Sequence, residues 1–178
     1  MKTHLLIRAV LSSAAALAIA IVLSPHSLAD DSALKSKDKS FLKDAYQGGL
    51  AEVQSAQMAQ QKTANADVKA FAEKLAADHS KSNDELKALA DAKKVSLSDD
   101  ASLMAKGKSK LLDMKSGGDF DKAWIDDQVS DHKKDIEAFE KAANEAEDAD
   151  VKALASKTLP TLKEHLSQAE SIQQKIGK

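Results

Sequence analysis

A chain of 178 residues with no cysteine has no disulfide framework and no thiol chemistry. Few aromatic residues, two prolines and 30% charged residues exclude a strand-rich core and point to helices, in a length that suits one domain. The formal net charge is −2, which argues against nonspecific binding of nucleic acid or anionic lipid.

Residues 1–29 read as a secretory signal peptide: Lys2 and Arg8 give a positive start, Ala9 to Leu23 is an uncharged apolar run, and Ser27-Leu28-Ala29 is a small-x-small cleavage site. The expectation is a cleaved protein of the periplasm, with no stable membrane insertion after cleavage. The domain would then be residues 30–178. Without Lys2 and Arg8 it carries 24 basic and 28 acidic residues, net −4. Residues 30–39 are charged and short of large apolar side chains, and read as a frayed terminus.

The first long helix is expected from about Ser40 to Thr63. Leu42, Ala45, Gly49, Glu52, Ala56 and Ala59 recur at steps of three and four, one helix face. Gly48-Gly49 weakens this helix, and a close neighbouring helix is the simplest reason for it. After a turn at Thr63-Ala-Asn65, a second helix runs from about Asp67 to Lys93. Its seam is Val68, Ala72, Leu75, His79, Ser82, Leu86 and Leu89. So short a turn makes the two helices antiparallel neighbours. A shorter helix is expected from Asp100 to Met114, stopped by Ser116-Gly-Gly118.

Asp119 is the expected N-cap of the third long helix, which runs to about Glu145 on the seam Ile125, Val129, His132, Ile136, Phe139 and Ala143. A fourth runs from about Val151 to Lys175 on the seam Val151, Ala155, Thr158, Leu162, His165, Ala169, Ile172 and Ile176. Pro160 lies inside it and should kink it. Ala-Asp-Val-Lys-Ala occurs at residues 66–70 and again at 149–153, each time opening the second helix of a pair. Two helical hairpins joined by a long crossover give an all-α, ferritin-like four-helix bundle with one extra short helix.

Asp78-His79 and Asp131-His132 repeat one arrangement, with the next large apolar residue, Leu86 or Phe139, seven positions after each histidine. His79, His132 and His165 all fall on seams, and Glu52 falls on the first helix's seam. Each long helix thus presents one metal-competent side chain inward. Three imidazoles and a carboxylate suit a single divalent transition metal ion such as Zn, Cu, Mn or Fe. The same residues also suit a polar layer that fixes helix register and binds nothing. The di-iron pattern, a Glu three residues before each of two histidines, is absent: Ala76, Val129 and Leu162 stand there. There is no Gly-rich phosphate loop and no nucleophile elbow. With no acid–base or nucleophile set complete, binding or interaction ranks above catalysis.

Phe41-Leu-x-x-Ala-x-x-Gly-Gly-Leu-x-Glu-Val53, Val68-Lys-x-Phe-Ala72, Asp78-His79, Gly118-x-Phe-Asp121, Asp131-His132 and Leu159-Pro160 with His165 resemble the bacterial exported family DUF4142. The resemblance runs from about Ser40 to Ile172. It implies a ferritin-like bundle and, since no activity is established for the family, no reaction or site. The chain departs from many relatives after Lys93-Lys94, where Val95 stands in place of a helix-ending glycine. Three functions remain open: a noncatalytic metal-binding or stress-related bundle, a metal-dependent oxidoreductase with an open coordination position, and an interaction module for an envelope partner. Oligomeric state is open.

Overall fold

The computed structural model describes residues 34–99 and 102–177. The signal peptide and the boundary at residue 30 lie outside the described residues. Within them the order is α1 (Ser36–Lys62), α2 (Ala66–Ala92), α3 (Leu103–Asp113), α4 (Gly117–Glu145) and α5 (Ala149–Ile176), with no strand. No helix among the described residues is long and apolar enough to cross a membrane.

The repeated pentapeptide is a repeated helix start. Asn65 caps α2, its side chain accepting from the amides of Asp67 at 2.9 Å and Val68 at 3.2 Å. Asp148 caps α5 in the same way, accepting from Asp150 at 2.9 Å and Val151 at 3.2 Å. Each cap satisfies two backbone donors that a helix start leaves unbonded. The caps follow turns of a few residues, so α1 folds back on α2 and α4 on α5.

The hairpins pack with α1 on α4 and α2 on α5. Ring contact between Phe41 and Phe139 and the bond from Trp124 Nε1 to Ser55 Oγ (2.8 Å) set α1 antiparallel to α4. Lys175–Asp67 and Lys157–Glu85, each at 2.8 Å, set α2 antiparallel to α5. Hence α2 and α4 run parallel, as a ferritin-like crossover requires. The crossover carries α3 across the outside of α1 and α4.

Several boundaries differ from those read in the sequence. Residues 36–39 are helical, not frayed. Asp38 is buried and its carboxylate accepts from the amides of Glu147 (3.0 Å) and Asp148 (2.9 Å), which ties the start of α1 to the α4–α5 turn. Asp119 is not the N-cap of α4: the helix begins two residues earlier, at Gly117, whose φ of +54° is open to a residue without a Cβ. Asp119 sits in the first turn, where its charge still suits the helix dipole. The helix-ending position after Lys93 is taken by Lys94 at φ +55°, with Val95 N–H bonded to Ala90 O at 2.8 Å and Lys94 N–H to Asp91 O at 3.1 Å. This is the reversal that glycine usually makes, here imposed on a lysine at some cost in strain. α5 runs through Pro160 as one helix, with the amide bond to the Ser156 carbonyl lost.

The core is divided by a polar layer. On one side pack Val68, Phe71, Leu75, Phe120, Trp124, Ile125 and Ile172. On the other lie Leu42, Tyr46, Leu86 and Val151, together with Phe139, Ala155 and Leu162. Between them the buried polar residues are Glu52, His79, Asn83, Gln128, His132 and His165. The α2 seam continues from His79 through Asn83, Leu86 and Ala90, and leaves Ser82 and Leu89 half-buried. Gly49 permits this packing: a Cβ there would stand 2.1 Å from Asn83 Oδ1. Gly48 meets nothing within 4 Å and has no such role.

Candidate metal centre

α2, α4 and α5 each turn one histidine into the polar layer. His132 is 0% exposed, His165 1% and His79 7%. The rings form a near-equilateral triangle, with centroids 5.5 Å (His79–His132), 5.5 Å (His79–His165) and 5.3 Å (His132–His165) apart. His132 Nε2 stands at the apex, 3.4 Å from His79 Nε2 and 3.3 Å from His165 Nδ1. One nitrogen from each ring lies within 4.8 Å of the other two. Ligands about 2.1 Å from one tetrahedral ion are about 3.4 Å apart, and the two sides that meet at His132 Nε2 have that length.

The outer nitrogens fix which atoms face inward. His132 Nδ1 is 3.0 Å from the Gln128 carbonyl, which can only accept, so Nδ1 carries the proton. His165 Nε2 is 2.9 Å from Asp78 Oδ2. Burial pushes the Asp78 carboxyl up, but hydrogen bonds from Lys74 and His165 more than offset it, and its pKa lies below the usual range. Asp78 is therefore an ionised acceptor at neutral pH, and His165 Nε2 donates.

Burial holds His132 down to about 4, with the nearby His165 adding to the effect. Burial likewise lowers His165, against the pull of Asp78, and brings His79 to about 3 with help from its two histidine neighbours. All three rings are neutral at pH 7. Then His132 Nε2 and His165 Nδ1 are two bare lone pairs facing each other at 3.3 Å. The Nε2–H of His79 can serve only one of them well. A cation between the three nitrogens would satisfy them all with His79 in its other tautomer, the proton on Nδ1 and Nε2 a lone pair.

Glu52 is not part of this group. It is buried in the same layer on α1, its side chain bonded to Gln128 and its Oε2 without a partner. Burial first, then the nearby Asp135, push its carboxyl up to about 8, so it is protonated at neutral pH. It lines a groove beneath α3 with Ser55, Lys108 and Asp131. The close set of nitrogens is formed by the three histidines without it. Its seam spacing turns Glu52 inward, and its direction around the bundle depends on how α1 sits against its neighbours.

Three contributors escaped the sequence reading. Gln128, 1% exposed, supplies the carbonyl that orients His132. Lys108 on α3 holds Asp131 and, at 3.3 Å, Asp127. Asn83 lies one turn after His79 with neither amide atom bonded. Gln128 and Asn83 sit four residues from a seam histidine, which is the signal that could have found them.

The chain matches the family described as "Domain of unknown function (DUF4142)" over residues 23–172. It belongs to that family. No curated protein matches it. Among solved structures, a DUF305 fragment from Deinococcus radiodurans has a TM-score of 0.72 at 10% identity, over 80% of this chain and 98% of that one. A DUF305 protein from Streptomyces coelicolor has a TM-score of 0.67 at 14% identity, over 80% and 94%. CopM in the Cu(II)-bound form has a TM-score of 0.62 at 15% identity, over 78% and 96%. At these identities the likeness is one of fold: a helical bundle shared with the DUF305 proteins.

Proposed function

We propose that this DUF4142 protein is an exported bundle that holds a single divalent transition metal ion through His79, His132 and His165. The observation that carries the reading is the pair of facing lone pairs, His132 Nε2 and His165 Nδ1, whose other nitrogens are both committed as donors. An imidazole set with a carboxylate behind one ring is a usual surround for such an ion. Neutral nitrogen donors favour zinc or copper over magnesium or calcium. The Cu(II)-bound neighbour of the same fold makes copper the first ion to test. The leader at residues 1–29 supports export to the periplasm with cleavage before Asp30, and the mass of the mature protein from a periplasmic extract would test that.

The deciding experiment is a thermal-shift screen with Cu(II), Zn(II), Mn(II) and Fe(II), using wild type and a His79→Ala/His132→Ala double variant. An ion bound only by the folded state raises the melting temperature by mass action. The wild type should respond to at least one ion and the double variant to none. No shift with any of them would end the metal reading. It would favour the second one, a structural polar layer in an envelope interaction module. That reading is supported by the way Glu52, Gln128 and the histidines span all four long helices at one level.

A further inference from the structure

Beside the triad lies a cavity of about 30 Å³, lined on the polar side by His79, His165, Asn83, Asp135 and Thr161. Resting on the metal reading above, we propose that the bound ion keeps one coordination position open to this cavity. A water or hydroxide fills it at rest, held by the Asn83 amide and exchangeable for a small anion.

Asn83 is 6% exposed, and both its Nδ2 and its Oδ1 lack a hydrogen-bond partner. Leaving an amide buried and unbonded at both ends is costly, and native interiors seldom do so unless a water or ligand completes the bonding. The α2 helix places Asn83 four residues after His79, on the same face and lining the same cavity. It is pinned on its other side by α1, where only the missing Cβ of Gly49 leaves room for Oδ1. The cavity exceeds the ~10–15 Å³ that one ordered water needs, yet is far too small for an organic substrate. Three histidines supply three donors, and a three-ligand site leaves the remaining position to solvent or an exogenous ligand. With Oδ1 turned to Gly49, Asn83 offers that ligand its Nδ2 donor. This matches a hydroxide, or a linear anion of two or three atoms. Ala45, Leu86, Phe139 and Leu162 supply the apolar part of the lining, and the small volume excludes bulkier ligands.

The test loads the full-length mature protein with Cu(II) and titrates azide, reading the charge-transfer absorption and the copper EPR spectrum. Wild type should show a saturable change in both. Asn83→Leu, which replaces the amide with an apolar group of similar size, should bind copper with unchanged stoichiometry and lose at least ten-fold in azide affinity. Asn83→Ala gives a second, smaller variant should the leucine disturb folding, and should weaken azide while retaining copper. Copper-loaded wild type that ignores azide overturns the proposal and leaves the metal site standing. So does a variant that binds azide as wild type does. Failure of the wild type to take up copper or any other ion overturns the metal reading and this inference with it.

Discussion

Asp78-His79 and Asp131-His132 are the same dipeptide on two parallel helices, yet the structure puts them to different uses. Both histidines turn into the core. A residue adjacent in a helix points about 100° away, so neither aspartate can serve its own neighbour. Asp78 reaches across to α5 and accepts from His165. Asp131 faces outward to α3 and pairs with Lys108. His132, lacking a carboxylate, is oriented by the Gln128 carbonyl of its own helix. The lesson is that a repeated motif fixed two ligand candidates, while their orienting partners came from other residues. One aspartate became part of the site and its twin a clamp for the crossover.

The shared apex of the triad should be the most sensitive position. His132→Ala should abolish metal-dependent stabilisation, worth about 2.7 kcal/mol at an ion concentration 100 times Kd, as read by thermal melts with and without the ion. Retention of more than a small part of that shift would remove His132 from the site.

The metal-free protein should lose stability as pH falls. The unfolded histidines bind protons below about 6.5, whereas the folded rings stay neutral down to about 4 for His132 and 3 for His79. The stability from keeping them neutral is thus full above 6.5 and is lost progressively below it. Glu52, with a folded pKa of about 8, and Asp135, at about 6, act oppositely, because the folded state holds protons that the unfolded state has released. His165, also lowered by burial, adds to the histidine side, so the net direction is a loss of stability between pH 6.5 and 5. Glu52→Gln removes one counterweight. Chemical denaturation should show that variant gaining stability over wild type at pH 8 and declining more steeply towards pH 5. A flat profile for wild type would mean the histidines are already paired or solvated.

The aspartates then separate the two halves of the comparison. Asp78→Asn should weaken metal binding by about 10- to 100-fold, the usual size for a residue that orients a ligand. Asp131→Asn should leave metal affinity within about two-fold and instead loosen α3, as hydrogen exchange over residues 103–113 would show. The stability effect there should be small, about 0–1 kcal/mol, because the Lys108 pair is partly exposed. Equal effects on metal binding from the two substitutions would undo the distinction.

Much of the fold was legible because helix signals are local. Steps of three and four placed Leu42, Glu52, Ala56, Leu75, His132 and Leu162 inward, and short turns made hairpins of α1–α2 and α4–α5. The repeated Ala-Asp-Val-Lys-Ala marked two capped helix starts. Local signals thus sufficed for the five helices of the described residues, their crossover topology and three histidines on inner faces.

The remainder depended on how the helices meet. Periodicity gives a residue's face; it cannot give the relative height and rotation of four helices, which depend on how Gly49, Asn83, Phe71 and Trp124 interlock. So the sequence could not separate His79, which joins the triad, from Glu52, which does not. Nor could it read Asp38 as the tie between the start of α1 and the α4–α5 turn, since that bond spans more than a hundred residues. The nitrogen atoms that face one another were beyond it too. A ring's free lone pair is set by what its other nitrogen touches, and for His165 that partner stands 87 residues away, on another helix.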